Sequence, residues 1–218
     1  LAKDFNINKK DFIILWKKIM KLFPEIDLVH FRKQPEYVEK IKNPFVEFLN
    51  NHRDSIIYSV LLSKTWEEYT HGVLNKNFLT QNLRKERLLK NLGNVSFKII
   101  TDQVETKNLI EELIRQKNIR LKSQGIQNLF KTEDVNFYNS FENNNLKKIK
   151  IHLCSLTLND ELIAIHWGVI YKNRFYYLLL AMKEESFSKY SPGRLLISLM
   201  IKWCIENKIQ IFDFTLGS

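Results

Sequence analysis

The chain reads as an α/β (α+β) protein built on a mixed, mainly antiparallel sheet flanked by helices. Three observations predict this. Three strand-like runs follow one another between residues 150 and 182, joined by short turns; amphipathic helical runs stand before and after them; and a short apolar run, Ile209 to Phe214, comes last.

Taken in order, residues 11–23 (DFIILWKKIMKLF) repeat apolar side chains at helical spacing, through Phe12, Leu15, Trp16, Ile19, Met20 and Phe23, and Pro24 ends the run. A short strand is expected over Ile26 to Phe31. Pro35 and the Asn43-Pro44 pair punctuate the next stretch, and Ser55 to Ser63 (SIIYSVLLS) predicts a buried strand. Thr65 to Leu92 predicts one helix, led by Trp66, Tyr69, Val73 and Leu74. It continues through the basic Arg84, Lys85, Arg87 and Lys90 to a C-cap at Gly93.

Beyond this connector, Val95 to Ile100 predicts a strand, Glu105 to Lys122 an amphipathic helix closed by Gly125, and Glu133 to Asn143 a shorter helix. Ile151 to Leu158, Leu162 to Tyr171 and Arg174 to Met182 form an antiparallel meander through turns at Asn159-Asp160 and Lys172-Asn173. Arg194 to Ile205 places Leu195, Leu196, Leu199, Met200 and Trp203 on one helical face, before the last strand. Residues 94–214 therefore run β-α-α-β-β-β-α-β. The helix and strand of 11–31, ending IDLVHF, echo those of 194–214, ending IQIFDF, as two copies of one unit would. The chain opens on Leu1 and stops at Ser218 just after a strand-like run, so both ends read as cut.

At 218 residues, 44% of them hydrophobic, the chain can bury an ordinary core. No run approaches the roughly 20 apolar residues of a membrane-spanning helix, and the N-terminus lacks a signal peptide's apolar core, so a cytoplasmic protein is expected. Cys154 and Cys204 sit inside strand-like and helical runs with no second Cys or His at ligand spacing. They are read as small buried hydrophobes, and no metal is expected. The net charge of +10 favours anionic partners, yet its basic residues are spread among abundant Asn, Ile and Lys, as A/T-rich coding would also produce.

The loop Ser191-Pro192-Gly193 lies between a strand and an amphipathic helix, with Ser at the N-cap position, Pro at the first helical position and Gly next. Such a start is also a phosphate site, because first-turn N–H groups lack helical partners and the helix dipole favours an anion. Gly193 lets a phosphate approach the backbone, and Arg194 and Lys189 add charge. Ser-Pro-Gly also serves as a plain helix cap.

This element order, with its meander followed by loop, helix and strand, resembles the GNAT acetyltransferase superfamily. More narrowly, residues 64–218 resemble the acetyltransferase family typified by bacterial cellulose-biosynthesis proteins and related to the Fem-type aminoacyl transferases. The resemblance rests on LSKTWEEYTHGVLNKNFLTQNLRKERLL, GNVSF, LNDELIAIHWGVIYKNRFYYLLLAM, YSPGRLLISLMIKWCIENKIQIFDF and the final LGS. It implies three parts: an N-terminal α/β part over 1–63, as the second half of a preceding GNAT-like repeat; a connecting helix over 64–93; and a GNAT-like domain over 94–218. Members of that family continue with an acidic and aromatic-basic stretch, so part of the acceptor site is expected to be absent here. The resemblance further implies that pantetheine runs along the backbone of Leu180, Ala181 and Met182. The diphosphate would meet N–H groups from Tyr190 to Leu195, Ser191, Gly193 and Arg194 included, and the fourth and fifth strands would splay near Met182 and Ile209 to admit the donor.

N-acyl transfer needs a deprotonated amine, a polarised thioester carbonyl and a protonated leaving thiolate. A two-residue turn at Lys172-Asn173 sets Gly168 opposite Tyr177 and His166 opposite Leu179, so His166 and Tyr177 share one face within reach of each other. They read as a core histidine and a packed aromatic, or as a base and acid pair. Asp213, between Phe212 and Phe214 near the end of a buried strand, is a charge that needs a partner or a role. The resemblance places it at the mouth of the transfer cleft, as base. Lys117 and Arg120, one helical turn apart, face an anionic acceptor or the cofactor phosphate, or form a solvated helix face.

The function that follows is an N-acyltransferase using acetyl-CoA or another acyl-CoA on an amine of a small molecule or sugar precursor, in polysaccharide or cell-envelope biosynthesis. Within the same fold the rival is a Fem-like enzyme whose donor is aminoacyl-tRNA. From another class, a non-catalytic GNAT-like module would bind nucleic acid or protein through the basic helices at 84–90 and 115–122.

Overall fold

The computed structural model describes residues 7–29, 31, 34–38, 41–48, 57–127, 129–143, 148–183 and 187–216. Two compact units emerge: residues 1–58 with 216–218, and residues 59–215.

In the first unit, α1 (Lys9–Met20) starts at Asn8, whose side chain accepts from the Asp11 N–H. Its apolar stripe meets α2 (Pro44–Phe48), with the Phe12 ring 5.1 Å edge-on from Phe45 and 5.7 Å from Phe48. Trp16 packs on Phe45 and Phe31. The Asn43-Pro44 pair turns out to be a helix start. Buried Asn43 accepts from the Phe45 N–H and donates to the Pro35 carbonyl and to Gln34, while Pro44 takes the first helical position. Two short strands, β1 (Tyr37–Val38) and β2 (Ile41–Lys42), pair antiparallel. No strand forms at 26–31 among the described residues; the chain passes through turns there, with Ile26 and Leu28 exposed. His30 lies outside the described residues.

A six-stranded sheet, within the second unit apart from Ile57, Tyr58 and Leu216 at its strand ends, runs in the order β3-β8-β7-β6-β5-β4, where β3 is Ile57–Leu61, β4 Val95–Ile100, β5 Ile149–Leu158, β6 Glu161–Tyr171, β7 Arg174–Met182 and β8 Ile211–Leu216. The buried strand expected at 55–63 is instead the shorter edge strand β3, whose Ile57, Tyr58 and Leu61 are exposed; residues 55 and 56 lie outside the described set. From β4 to β7 every neighbour is antiparallel, and β7 and β8 run parallel. The expected mixed, mainly antiparallel sheet is present.

Both hairpins turn where the sequence places them. Asn159, Asp160 and Lys172 adopt positive φ of 48°, 63° and 54°, the left-handed geometry that two-residue hairpin loops require. Asn159 also accepts from the Asn94 N–H, and its amide lies against Gly93 at φ +154°, where a Cβ would stand 2.1 Å from the Asn159 oxygen.

The single helix expected over 65–92 is two. α3 (Trp66–Gly72) begins at Thr65, and α4 (Lys76–Lys90) restarts at Asn75, whose side chain accepts from the Asn77 N–H. A side-chain cap at Asn75 competes with helix continuation, and here it wins. α5 (Gln103–Ser123) and α6 (Thr132–Asn143) cover one sheet face through Ile110, Leu113, Ile114, Leu153, Ile165, Trp167 and Ala181. The other face packs Leu156, Ile163, Phe175 and Phe212 against α7 (Pro192–Glu206) and against Tyr69 and Leu89 of α3 and α4. Both faces are buried, which is why the central strands carry near-continuous apolar runs.

Candidate functional site

Pairing between β7 and β8 stops early. The parallel register holds for Arg174↔Ile211, Phe175↔Phe212 and Tyr176↔Asp213, and then the strands part. The split therefore opens toward Met182 and Thr215, at the carboxyl ends of both strands. It does not reach Ile209, which lies beyond the paired end: two parallel strands can only part toward ends of the same sense.

Thr215 marks the parting. It takes φ +58°, its N–H donates to Asp213 Oδ1, and its hydroxyl donates 2.8 Å to the Tyr177 carbonyl. At the same level β7 carries a bulge. The ladder to β6 shifts between Trp167 and Gly168, so Leu178 has no partner and His166 stands opposite Leu180 rather than Leu179. Gly168 permits this approach, since a Cβ there would lie 2.6 Å from the Tyr176 carbonyl oxygen.

A cavity of about 380 Å³ occupies the α7 side of the split. Leu180 and Met182 of β7, Phe214 of β8, and Gly193, Arg194, Ile197, Ser198 and Ile201 of α7 form one wall; Trp66, Tyr69, Leu74 and Phe78 form the other. Among the lining residues, polar side-chain groups come from Arg194, Ser198, the Tyr69 hydroxyl and the Trp66 indole N–H. Ala181, expected with its neighbours along the donor, points to the opposite face and packs under α5; its backbone still lies in the split.

The loop at the cavity's end departs from the expected cap. Ser191 takes the left-handed conformation (φ 53°, ψ 56°), and its side chain makes no cap hydrogen bond. Its hydroxyl instead accepts from Lys85 Nζ at 2.5 Å, which ties α4 to the loop. The left-handed backbone swings the side chain off the helix end and leaves the Ser191 carbonyl to accept from the Arg194 and Leu195 N–H groups. Ser191 N–H itself donates to Ser188, and Pro192 has none. Among the described residues the Gly193 N–H is left without a partner, and Gly193 lines the cavity. Cations surround this point: Lys85 on Ser191, Arg194 over the Phe78 ring, and Lys189 over Tyr190.

His166 and Tyr177 do meet, with rings stacked at 4.6 Å and 19°. His166 is fully buried and Phe175 covers it as well. Burial holds its imidazole well below the usual histidine range, and burial pushes the Tyr177 hydroxyl up. Asp213 is 4% exposed and doubly engaged: Oδ2 accepts from Arg174 at 2.7 Å, and Oδ1 from Thr215. On α5, Lys117 is half-buried, and burial followed by the nearby Arg120 charge lowers its amine. Arg120 acts electrostatically on Tyr177, and neither Lys117 nor Arg120 lines the cavity.

Sequence reading missed Lys85, Phe78 and the wall made by Trp66 and Tyr69. Their signal was the apolar stripe and basic run of 65–92, which gave a connector helix and did not reveal what the helix covers. Cys154 and Cys204 are free and buried, as expected of small hydrophobes. The expectation that no histidine stands at ligand distance fails for Cys154, which shares a cluster with His152 and His166; His152, two residues away on the same strand face, was legible in the sequence, whereas His166 is a cross-strand neighbour that sequence spacing does not show.

A family model described as an acetyltransferase (GNAT) domain matches residues 76–218. Among solved structures, one described as FemX superposes with a TM-score of 0.59 at 13% identity, covering 97% of this chain and 69% of that one. A conserved protein of unknown function from Bacteroides thetaiotaomicron VPI-5482 gives 0.48 at 14% identity, covering 74% of this chain and 50% of that one. The C-terminal domain of a lysylphosphatidylglycerol synthetase from Agrobacterium fabrum, described as putative in its source, gives 0.47 at 11%, covering 74% and 49%. No match was found among curated proteins.

Proposed function

Because the chain belongs to the acetyltransferase (GNAT) domain family, we propose that it transfers an acyl group from acyl-CoA to an amine, with the donor held in the split between β7 and β8. The observation that carries this is the end of the ladder at Tyr176 and Asp213, beside an apolar cavity that ends at an unpartnered Gly193 N–H.

Each part of the donor has chemistry to meet it. A diphosphate suits the Gly193 N–H and the cations Lys85, Lys189 and Arg194 at the helix start. A pantetheine arm, largely aliphatic, suits the wall from Met182 to Leu180. At the inner end, the bulge at Leu178 turns backbone out of the ladder, where an N–H can polarise the thioester carbonyl. The amine nitrogen attacks that carbonyl carbon, the C–S bond breaks, and the leaving thiolate takes a proton from water at the mouth of the split.

In this reading Asp213 lies at the inner end and receives the amine's proton once Arg174, partly open to solvent, yields one carboxylate oxygen. His166 and Tyr177 pack beneath the thioester and shape the floor, since a neutral, enclosed imidazole has no route for a proton. Lys117 and Arg120 draw an anionic acceptor. A sugar precursor or other small amine remains the acceptor class we favour, and polysaccharide or envelope synthesis the setting.

Binding decides the reading. Acetyl-CoA should raise the melting temperature of the chain, and Ser198→Phe, which fills the cavity from a half-buried position on α7, should abolish the rise while leaving the fold intact. No rise in the wild type would remove the donor assignment. The alternative donor, aminoacyl-tRNA, is favoured by the basic face of α4 with Arg84 and Arg87; a charged tRNA that protects the chain where acetyl-CoA does not would select it.

A further inference from the structure

The acyl-transfer reading uses only the bulk of His166 and gives no chemistry to the buried cluster that His166 forms with His152 and Cys154. His152 and Cys154 lie two residues apart on β5 and so project from the same face, and His166 stands directly opposite Cys154 on β6. All three are buried, at 2%, 0% and 0% exposure. One ligand-capable atom from each falls within 4.8 Å of the others. None of the four ring nitrogens of His152 and His166 has a hydrogen-bond partner among the described residues.

Those nitrogens call for an explanation. A neutral imidazole carries one N–H donor and one lone pair, and leaving either unmade in a dry core is unfavourable. The surroundings offer aromatic rings instead: Trp203 at 4.5 Å and Phe175 at 4.9 Å from His152, with Phe175 and Tyr177 over His166. Two imidazole lone pairs and one thiolate are, however, the donor set of a thiophilic d-block cation.

We propose that His152, Cys154 and His166 bind one thiophilic cation, of the Zn²⁺ or Cu⁺ class, inside the sheet core. Ligand atoms each 2.0–2.3 Å from a shared ion stand roughly 3–4 Å apart, so side-chain rotations on the order of 1 Å close the present arrangement. Binding breaks the Cys154 S–H bond, sends the proton to solvent and forms the metal–sulfur bond; no electron is transferred. With the aromatic rings closing the site, there is no position for a substrate, and the role is structural. It ties β5 to β6 and stands independently of the donor reading. Cys204 packs in the same core but is not one of the three grouped ligands.

Because the site is closed, the ion must enter during folding, and the test follows that order. The full chain is unfolded, then refolded under reducing conditions with Zn²⁺, with Cu⁺, with Mg²⁺ or with none, and freed of unbound ion. We expect close to one Zn²⁺ or Cu⁺ per chain, none of Mg²⁺, and a higher melting temperature than the ion-free chain; whichever of the two ions gives the larger rise names the occupant. Refolding with Co²⁺ should give sulfur-to-metal charge-transfer absorption that Cys154→Ser loses and Cys204→Ala keeps. A well-folded wild type without Zn²⁺ or Cu⁺ overturns the proposal, as does a stoichiometry unchanged in both Cys154→Ser and His166→Phe. If those variants fail to fold, the wild-type stoichiometry and Co²⁺ spectrum decide alone.

Discussion

Gly193 bears most directly on donor binding, because it lines the cavity, lacks a side chain there and has an N–H without a partner among the described residues. A Cβ at this position would stand 3.0 Å from Leu180 Cδ2 and 3.2 Å from Met182 Sδ, the ends of two flexible side chains that line the cavity. Gly193→Ala should therefore fold, at a cost of about 1 kcal/mol or less, while pushing Leu180 and Met182 into the slot and weakening CoA binding about tenfold, or roughly 1.4 kcal/mol. Calorimetric titration of CoA into both proteins checks this, and equal affinities would reduce the loop to a helix start. Asp213→Asn asks a different question. Asparagine keeps an acceptor for the Thr215 N–H but gives up the charge paired with Arg174. Donor affinity should persist and kcat should fall tenfold or more, with a loss of about 1–2 kcal/mol in stability; an unchanged kcat would make Asp213 purely a brace for the split. At this scale the sequence named Gly193, Arg194 and Asp213 because small, cationic and acidic residues are conspicuous in apolar runs. It misjudged Ser191, because the left-handed backbone there depends on the Ser188–Tyr190 turn and on Lys85, 106 positions away.

Among the elements, the meander was legible to within two residues at each strand end, since turn chemistry at Asn159-Asp160 and Lys172-Asn173 fixes register locally. Its bulge was not legible. The shift between Trp167 and Gly168 arises where a glycine lets the β7 backbone come close, and no local pattern announces it. That yields a prediction for the element itself. In Gly168→Ala the new methyl would collide with the Tyr176 carbonyl at 2.6 Å and with His166 Cε1 at the same distance. Backbone cannot step aside as a side chain can, so the substitution should cost about 2–4 kcal/mol or prevent folding. Chemical denaturation measures it; a loss below about 0.5 kcal/mol would mean that the bulge can slide along β7. The broken helix at 73–75 went unread for a related reason. Gly72 and Asn75 are weak signals singly, and the apolar stripe runs on through both sides of the break.

For the whole molecule, the division into two units carries a consequence for the site. Every residue lining the cavity, every residue of the loop, and the Arg174, Asp213 and Thr215 network belong to the unit of residues 59–215. The first unit has its own small core in the rings of Phe12, Trp16, Phe31, Phe45 and Phe48. Reading the first quarter from its sequence found α1 but neither α2 nor the β1–β2 pair, because elements of two to five residues lack a period to detect. We propose that this quarter is a separate structural part, although the strand half of the echo between 11–31 and 194–214 does not form at 26–31 among the described residues. A chain cut to begin at Ile57 retains all six strands of the large sheet together with the whole cavity wall. It should melt in one cooperative transition, and acetyl-CoA should raise its melting temperature by as much as it raises that of the full chain, since a ligand stabilises in proportion to its affinity for the folded unit that binds it. A folded but unresponsive cut chain, beside a responsive full one, would show that the first unit supplies part of the donor site.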